Sequence, residues 1–167
     1  YMACSSGRTF EAIVLSLCMC LSVSVCCLDI SISIMEVDYA IIGAGAAGLH
    51  VALAMKEDPW FQDKQILILD KDGKNSNDKT WSFWEKGTGK WDSIVSKSWK
   101  KGRFINQKTS LELTLEPYRY KTIRAIDFYR HAREQLAQAN NVHWITEEVS
   151  ELISGQKITI KTNNQEH

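Results

Sequence analysis

Apolar and polar positions along the chain predict one parallel α/β unit followed by an antiparallel portion. Asp38 to Ile42 reads Asp-Tyr-Ala-Ile-Ile, a short apolar strand. A helical pattern follows, with Leu49, Val51, Ala52, Leu53 and Met55 apolar, and Lys56-Glu57-Asp58-Pro59 ends it. Pro59 biases the residue before it away from helix. Gln65 to Asp70 then reads as a buried parallel strand, four apolar residues closed by an acid. Further on, Arg103–Asn106 and Leu111–Leu115 form the two strands of a hairpin, with Gln107-Lys108-Thr109-Ser110 as its turn. Arg119–Arg124 is a third strand. Asp127 is placed to cap a helix running to about Gln138, whose inner stripe is Phe128, Tyr129, Ala132 and Leu136. Val142–Val149 and Lys157–Lys161 read as two more strands.

Between the first strand and its helix lies Gly43-Ala44-Gly45-Ala46-Ala47-Gly48, a G-x-G-x-x-G run. The run alone is a weak signal, but a strand enters it and a helix leaves it. The fold class that follows is α/β: a Rossmann-like βαβ unit for FAD with an added antiparallel β portion, incomplete at the C-terminus. Each glycine has a physical task there. Gly43 permits the tight turn, Gly45 lets backbone approach a pyrophosphate, and Gly48 lets the helix pack close to the sheet. Ala44, Ala46 and Ala47 bring backbone amides to the same place, where a helix N-terminus favours an anion. Asp70 lies 22 residues after Gly48, near the spacing at which an acid bonds ribose hydroxyls. Such an acid repels a 2′-phosphate. Lys71, Lys74 and Lys79 alternate with Asp72, Asn75, Asn77 and Asp78 in what reads as a solvated loop. An unphosphorylated ribose follows, hence FAD or NAD. The early position of the unit favours FAD, with Lys71 counted beside Asp70 among the cofactor residues.

Composition narrows the classes. The chain has 167 residues, 20 Lys+Arg against 20 Asp+Glu, 44% hydrophobic and 24% charged residues. That excludes a disordered, collagen-like or coiled-coil chain. Zero net charge argues against a nucleic-acid partner, which needs a basic surplus. All five cysteines (Cys4, Cys18, Cys20, Cys26, Cys27) fall in the first 27 residues, and the histidines are scattered, so no metal site is expected. The cysteine-free remainder fits a reducing, cytoplasmic compartment.

Ala12–Leu28 is an uncharged, mostly apolar run of 17 residues, short of the roughly 20 that span a bilayer. Three readings of residues 1–34 compete: a leader peptide, a marginal membrane anchor, or an upstream extension foreign to the natural protein. The last is favoured, because Met35 directly precedes Glu36-Val37-Asp38-Tyr39, where the nucleotide fold begins. Residues 35–167 are then the N-terminal part of an FAD/NAD(P)-binding domain.

Asn77-Asp78-Lys79-Thr80-Trp81-Ser82-Phe83-Trp84-Glu85 adds a different kind of information. With Asp70 before it, this segment resembles the lycopene cyclase family of carotenoid biosynthesis, whose run is Asn-Asp-Arg-Thr-Trp-Cys-Phe-Trp. Lys79 stands where the family has arginine and Ser82 where it has cysteine. The resemblance continues at Pro117–Arg124 and Asp127-Phe128-Tyr129, and covers Met35 to about Leu152. Lys79 keeps a positive charge but loses the planar fork of arginine, so where the family's arginine grips a flavin phosphate or a carboxylate at two points, Lys79 would grip it more loosely. Trp81 and Trp84 read first as packing residues, and aromatic faces also suit a polyene or a carbocation. By analogy with flavoproteins of this fold, Glu147, Glu148 and Val149 are candidate neighbours of the adenine through backbone groups.

The resemblance implies a bacterial lycopene beta-cyclase. Such an enzyme closes the ψ ends of lycopene into β-ionone rings without net oxidation, using FAD in reduced form with NAD(P)H as reductant. It also implies peripheral contact with the membrane that dissolves the carotenoid substrate. The family's second flavin motif and the acidic Phe-x-Glu-Glu-Thr-type segment with its proton-handling glutamate are expected beyond His167, so the catalytic residues are unassigned. A fragment of this length is expected to hold FAD poorly and to be inactive. Two alternatives stay open. One is another flavoprotein of the same fold, an aromatic hydroxylase or an isoprenoid reductase. The other is a membrane-tethered nucleotide-binding protein without activity. Ring type, number of ends cyclised and oligomeric state are not encoded legibly.

Overall fold

A computed structural model of the chain describes residues 2–3, 10–16 and 31–163. The strands are β1 (Met2–Ala3), β2 (Phe10–Ser16), β3 (Ser31–Val37), β4 (Tyr39–Ile42), β5 (Ile66–Asp70), β6 (Thr80–Lys86) and β7 (Lys97–Trp99). They continue as β8 (Lys101–Ile105), β9 (Ser110–Thr114), β10 (Tyr118–Arg124), β11 (Val142–Thr146), β12 (Glu148–Ile153) and β13 (Ile158–Asn163). Two α-helices are described, α1 (Ala46–Glu57) and α2 (Ala125–Leu136). The cysteines and residues 17–28 of the apolar run lie outside the described residues. The backbone of β2 pairs antiparallel with β3 and parallel with β13.

The chain divides into two compact units, residues 1–73 with 135–167, and residues 74–134. The first unit carries the predicted βαβ. Its main sheet has the order β1-β4-β5-β11, and β4, β5 and β11 run parallel. Ile66, Leu67, Ile68 and Leu69 are all fully buried, which explains why this strand reads as an unbroken apolar run. Burying each such side chain is worth roughly 1.5–3 kcal/mol, so β5 anchors the unit. Leu67 and Leu69 share a core with Val37, Ala40 and Ile160, and Ile145, Val149 and Ile158 pack against it. Helix α1 is apolar over most of its circumference and buries Leu49, Ala52, Leu53 and Met55, and it stops before Pro59 as expected.

The predicted strand Val142–Val149 is two strands. It breaks at Glu147, whose carboxylate accepts a hydrogen bond from the buried Thr162 hydroxyl. β11 finishes the parallel sheet, whereas β12 pairs antiparallel with β13 in the sheet β12-β13-β2-β3.

The second unit holds an antiparallel sheet of order β6-β10-β7 and the separate β8–β9 hairpin. The hairpin turn falls where the sequence puts it. The Asn106 side-chain oxygen accepts from the Lys108 and Thr109 amides, at 2.9 and 2.7 Å, and fixes the reversal. Helix α2 starts two residues before Asp127, so Asp127 is not its cap. The Lys79 carbonyl accepts the Ala125 amide at 3.0 Å, and Asn77 accepts from the Ile126 amide. Asp127 instead binds Arg124 through both carboxylate oxygens, at 2.6 and 3.0 Å. The inner stripe of Phe128, Tyr129, Ala132 and Leu136 is buried as predicted.

Candidate functional site

The glycine turn leaves β4 at the carboxyl end of the parallel strands, the position where open α/β sheets receive ligands. The Gly43 amide donates to the Leu69 carbonyl at 2.7 Å and ties the turn to the end of β5. Gly43 has φ +102°, a conformation strained for any residue with a Cβ. A Cβ on Gly48 would stand 2.0 Å from the Gly43 carbonyl oxygen and 3.1 Å from Ile41 Cγ2. The helix therefore sits against the turn at a distance only glycine allows. Gly45 is different: a Cβ there meets no protein atom within 4 Å. Its bareness serves space outside the protein surface rather than packing within it.

Gly45 is the N-cap of α1, no side chain caps the helix, and the first turn carries no acidic residue. The helix thus presents its positive end and first-turn amides without an internal anion. They border a cleft of about 380 Å³ lined by Ile41, Ile42, Gly43, Gly45, Ala46, Ala47, Gly48 and Val51. This donor set suits a diphosphate: uncharged apolar walls, backbone N–H groups, and no carboxylate among the lining residues.

Asp70 closes β5 beside this turn. Its carboxylate accepts from the Ala44 amide at 2.7 Å and from the Asp72 amide at 2.8 Å. Ala44 is fully buried, so its contribution is to hold Asp70 against the turn. Lys71 faces Glu148 at 3.6 Å, with both side chains mostly exposed. Val149 lies on β12 opposite Thr162, and its side chain packs on the core of the first unit. Lys79 belongs to the second unit, where its carbonyl starts α2. The structure thus brings Gly43 to Gly48 and Asp70 together at one sheet end.

The Asn77–Glu85 segment builds the second unit. Besides the two bonds at the start of α2, Asp78 accepts a hydrogen bond from the Tyr129 hydroxyl at 3.0 Å. Trp81 meets Phe128 and Tyr129 edge-on, with centroids at 5.5 and 5.7 Å. Trp84, three residues along a strand, faces the other way. It is 58% exposed and meets Tyr120 in a tilted contact with centroids at 4.9 Å, and Tyr120 in turn meets Trp99 at 5.7 Å. Trp81 packs half-buried against α2, and Trp84 belongs to an open row of aromatic rings across three strands.

Two features of this unit depend on partners distant in sequence. Lys121 is buried in β10, and its ammonium donates to Glu85 (2.7 Å), the Gly87 carbonyl (2.9 Å) and Asp92. The hydrogen bonds to Asp92 and Glu85 hold the lysine above its usual pKa, and the Lys121 bond holds Asp92 below the usual aspartate range. A cleft of about 510 Å³ is lined by Asp127, Arg130, His131 and Glu134 of α2, with Arg124 and the Ser93–Ser96 stretch. The helix residues stand at i, i+3, i+4 and i+7, a spacing that puts them on one face and was available in the sequence.

Comparison with known proteins agrees with this architecture. The family model described as Lycopene cyclase protein matches residues 38–164. No curated protein matches the chain. Among solved structures, pqsL, a probable FAD-dependent monooxygenase from Pseudomonas aeruginosa, superposes with a TM-score of 0.53 at 8% identity. A geranylgeranyl bacteriochlorophyll reductase-like protein from Thermoplasma acidophilum gives 0.52 at 13% identity. The matches cover 73% and 74% of this chain but 39% and 36% of those chains, so the likeness is one of fold over part of their length.

Proposed function

The chain belongs to the lycopene cyclase protein family, and on that premise we propose that the whole protein is an FAD-dependent lycopene beta-cyclase. The observation that carries the flavin half of this reading is the uncapped α1 N-terminus, bordered by Gly43, Gly45 and Gly48 with Asp70 beside it. The turn amides would hold the diphosphate of FAD, and Asp70 the adenosine ribose, while Ala44 keeps its carboxylate in place. Bound in reduced form, with NAD(P)H as the source of electrons, FAD would supply negative charge near a developing carbocation. The reaction adds a proton to a terminal double bond of lycopene, closes the ring on the tertiary cation, and releases a neighbouring proton. Substrate and product are isomers, so no electrons are transferred overall. The protein's share is a general acid/base and a sheltered polar environment for the cation. The aromatic row of Trp84, Tyr120 and Trp99 offers ring faces of the kind that hold a conjugated chain.

The test is product analysis of the whole protein with lycopene, FAD and NADPH in deuterated water. We expect ring-bearing products of unchanged oxidation level, one solvent deuteron retained for each ring closed, and ring formation undiminished when oxygen is excluded. Oxygenated or saturated products would move the protein to the hydroxylase or reductase branch of the same fold.

A further inference from the structure

Among the described residues, nothing covers one apolar face of the β8–β9 hairpin. Cross-strand partners share a face, so the pairs Phe104–Leu111 and Gly102–Leu113 place Phe104, Leu111 and Leu113 on one side. These three are 55%, 51% and 42% exposed. Lys101, Arg103 and Glu112 leave on the other side together with Ile105, which is 65% exposed, so toward the turn both faces carry an exposed apolar residue. A two-stranded ribbon with exposed apolar residues is marginal in water unless something covers them.

Charge indicates what covers it. Residues 93–111 contain Lys97, Lys100, Lys101, Arg103 and Lys108 and no Asp or Glu, in a chain whose net charge is zero. Glu112 neutralises Lys101 at 2.7 Å. Lys100, Arg103 and Lys108 form no ion pair among the described residues. An anionic surface with an apolar interior satisfies both features when the hairpin enters it turn first: Phe104, Ile105 and Leu111 reach the acyl boundary, and the long basic side chains of the strands and turn reach the headgroups. We propose that the β8–β9 hairpin is the surface by which the protein docks on anionic bilayers. The proposal rests on the cyclase reading for its biological sense, since lycopene is dissolved in membrane, but the docking itself needs no substrate.

Flotation of the whole protein with phosphatidylcholine vesicles, with and without phosphatidylglycerol, tests this. Wild type should float with the anionic vesicles, and binding should weaken as salt is raised. Joint Lys100→Gln, Arg103→Gln and Lys108→Gln replacement should weaken binding about a hundredfold. A separate Leu111→Ser variant should weaken it at every salt concentration. Activity on detergent-dispersed lycopene, where no bilayer is needed, should be unchanged in all of them. Hydrogen exchange should show residues 101–114 protected only when anionic vesicles are present. The proposal is overturned by undiminished flotation of the variants, by failure of wild type to float, or by protection of the hairpin in solution without vesicles. The last would give the face to another part of the protein or to a second copy. Docking without ring formation would retain the surface and reject the cyclase reading. Ring formation without docking would do the reverse.

Discussion

Gly48→Ala should lower the stability of the protein by about 2 kcal/mol or more, although alanine is the better helix former. At an ordinary helix position the exchange of glycine for alanine stabilises by roughly 1 kcal/mol. Here the added methyl would stand 2.0 Å from a backbone oxygen, the Gly43 carbonyl. Backbone cannot swing aside as a side chain can, and overpacking of this kind costs about 1–3 kcal/mol or occasionally more. The neighbouring Ile41 Cγ2, at 3.1 Å, closes another way out. Helix and turn must separate, and the turn that donates Gly43 N–H to Leu69 moves with them. Urea unfolding read by circular dichroism checks the sign, and bound flavin should fall in parallel. A gain in stability would show that helix and turn are less close than described.

Lys121→Met should lower the Tm by about 10 °C, with no change in the first unit's flavin site. Methionine matches the length and fills the buried position. It leaves Glu85, Asp92 and the Gly87 carbonyl without the donor that all three share. Removing the buried lysine leaves two neighbouring carboxylates, 26% and 38% exposed, charged and without their shared cation, and the Gly87 carbonyl without its donor. The pH dependence has a definite sign. Asp92 is depressed below 3.8 by its bond to Lys121, so its contribution exists above that value and is lost as pH falls through the lowered pKa. Lys121 is raised above 10.5 chiefly by Asp92 and then Glu85, so its contribution holds below that value and is lost as pH rises through the raised pKa. The Tm gap between wild type and variant should therefore be widest from about pH 5 to 10 and narrow below about pH 4. A gap independent of pH would assign the effect to packing alone.

The parts of the fold legible in the sequence are those set by short-range pattern. β5 is buried on both faces and reads as an apolar run. The Gly43–Gly48 turn announces itself because only glycine tolerates φ +102° at one end and a 2.0 Å approach at the other. The hairpin declares itself by alternation about a turn that Asn106 fixes locally. What stayed hidden depends on partners distant in sequence. β6 is masked as a strand in the sequence because its tryptophans at 81 and 84 fall on opposite faces and blur the period of two. Asp127 looked like a helix cap, but the helix start is satisfied by Asn77 and Lys79 from the preceding strand region. The break at Glu147 lies inside a stretch of uniform strand propensity, and only the change of partner from β5 to β13 reveals it. Lys121 resembled any lysine in an exposed strand until Glu85 and Asp92 closed over it.

Gly45 offers the most direct measurement of the central claim, that the glycine turn holds the FAD diphosphate. Its backbone is extended, with φ −79° and ψ −171°, and no protein atom lies within 4 Å of an added Cβ. Gly45→Val therefore adds bulk only toward the cleft and leaves the protein's own packing intact. Flavin bound by the whole protein should drop at least tenfold in this variant, while its urea midpoint stays within about 1 kcal/mol of wild type, the scale of a changed N-cap. Equal flavin content in a folded Gly45→Val protein would contradict the account.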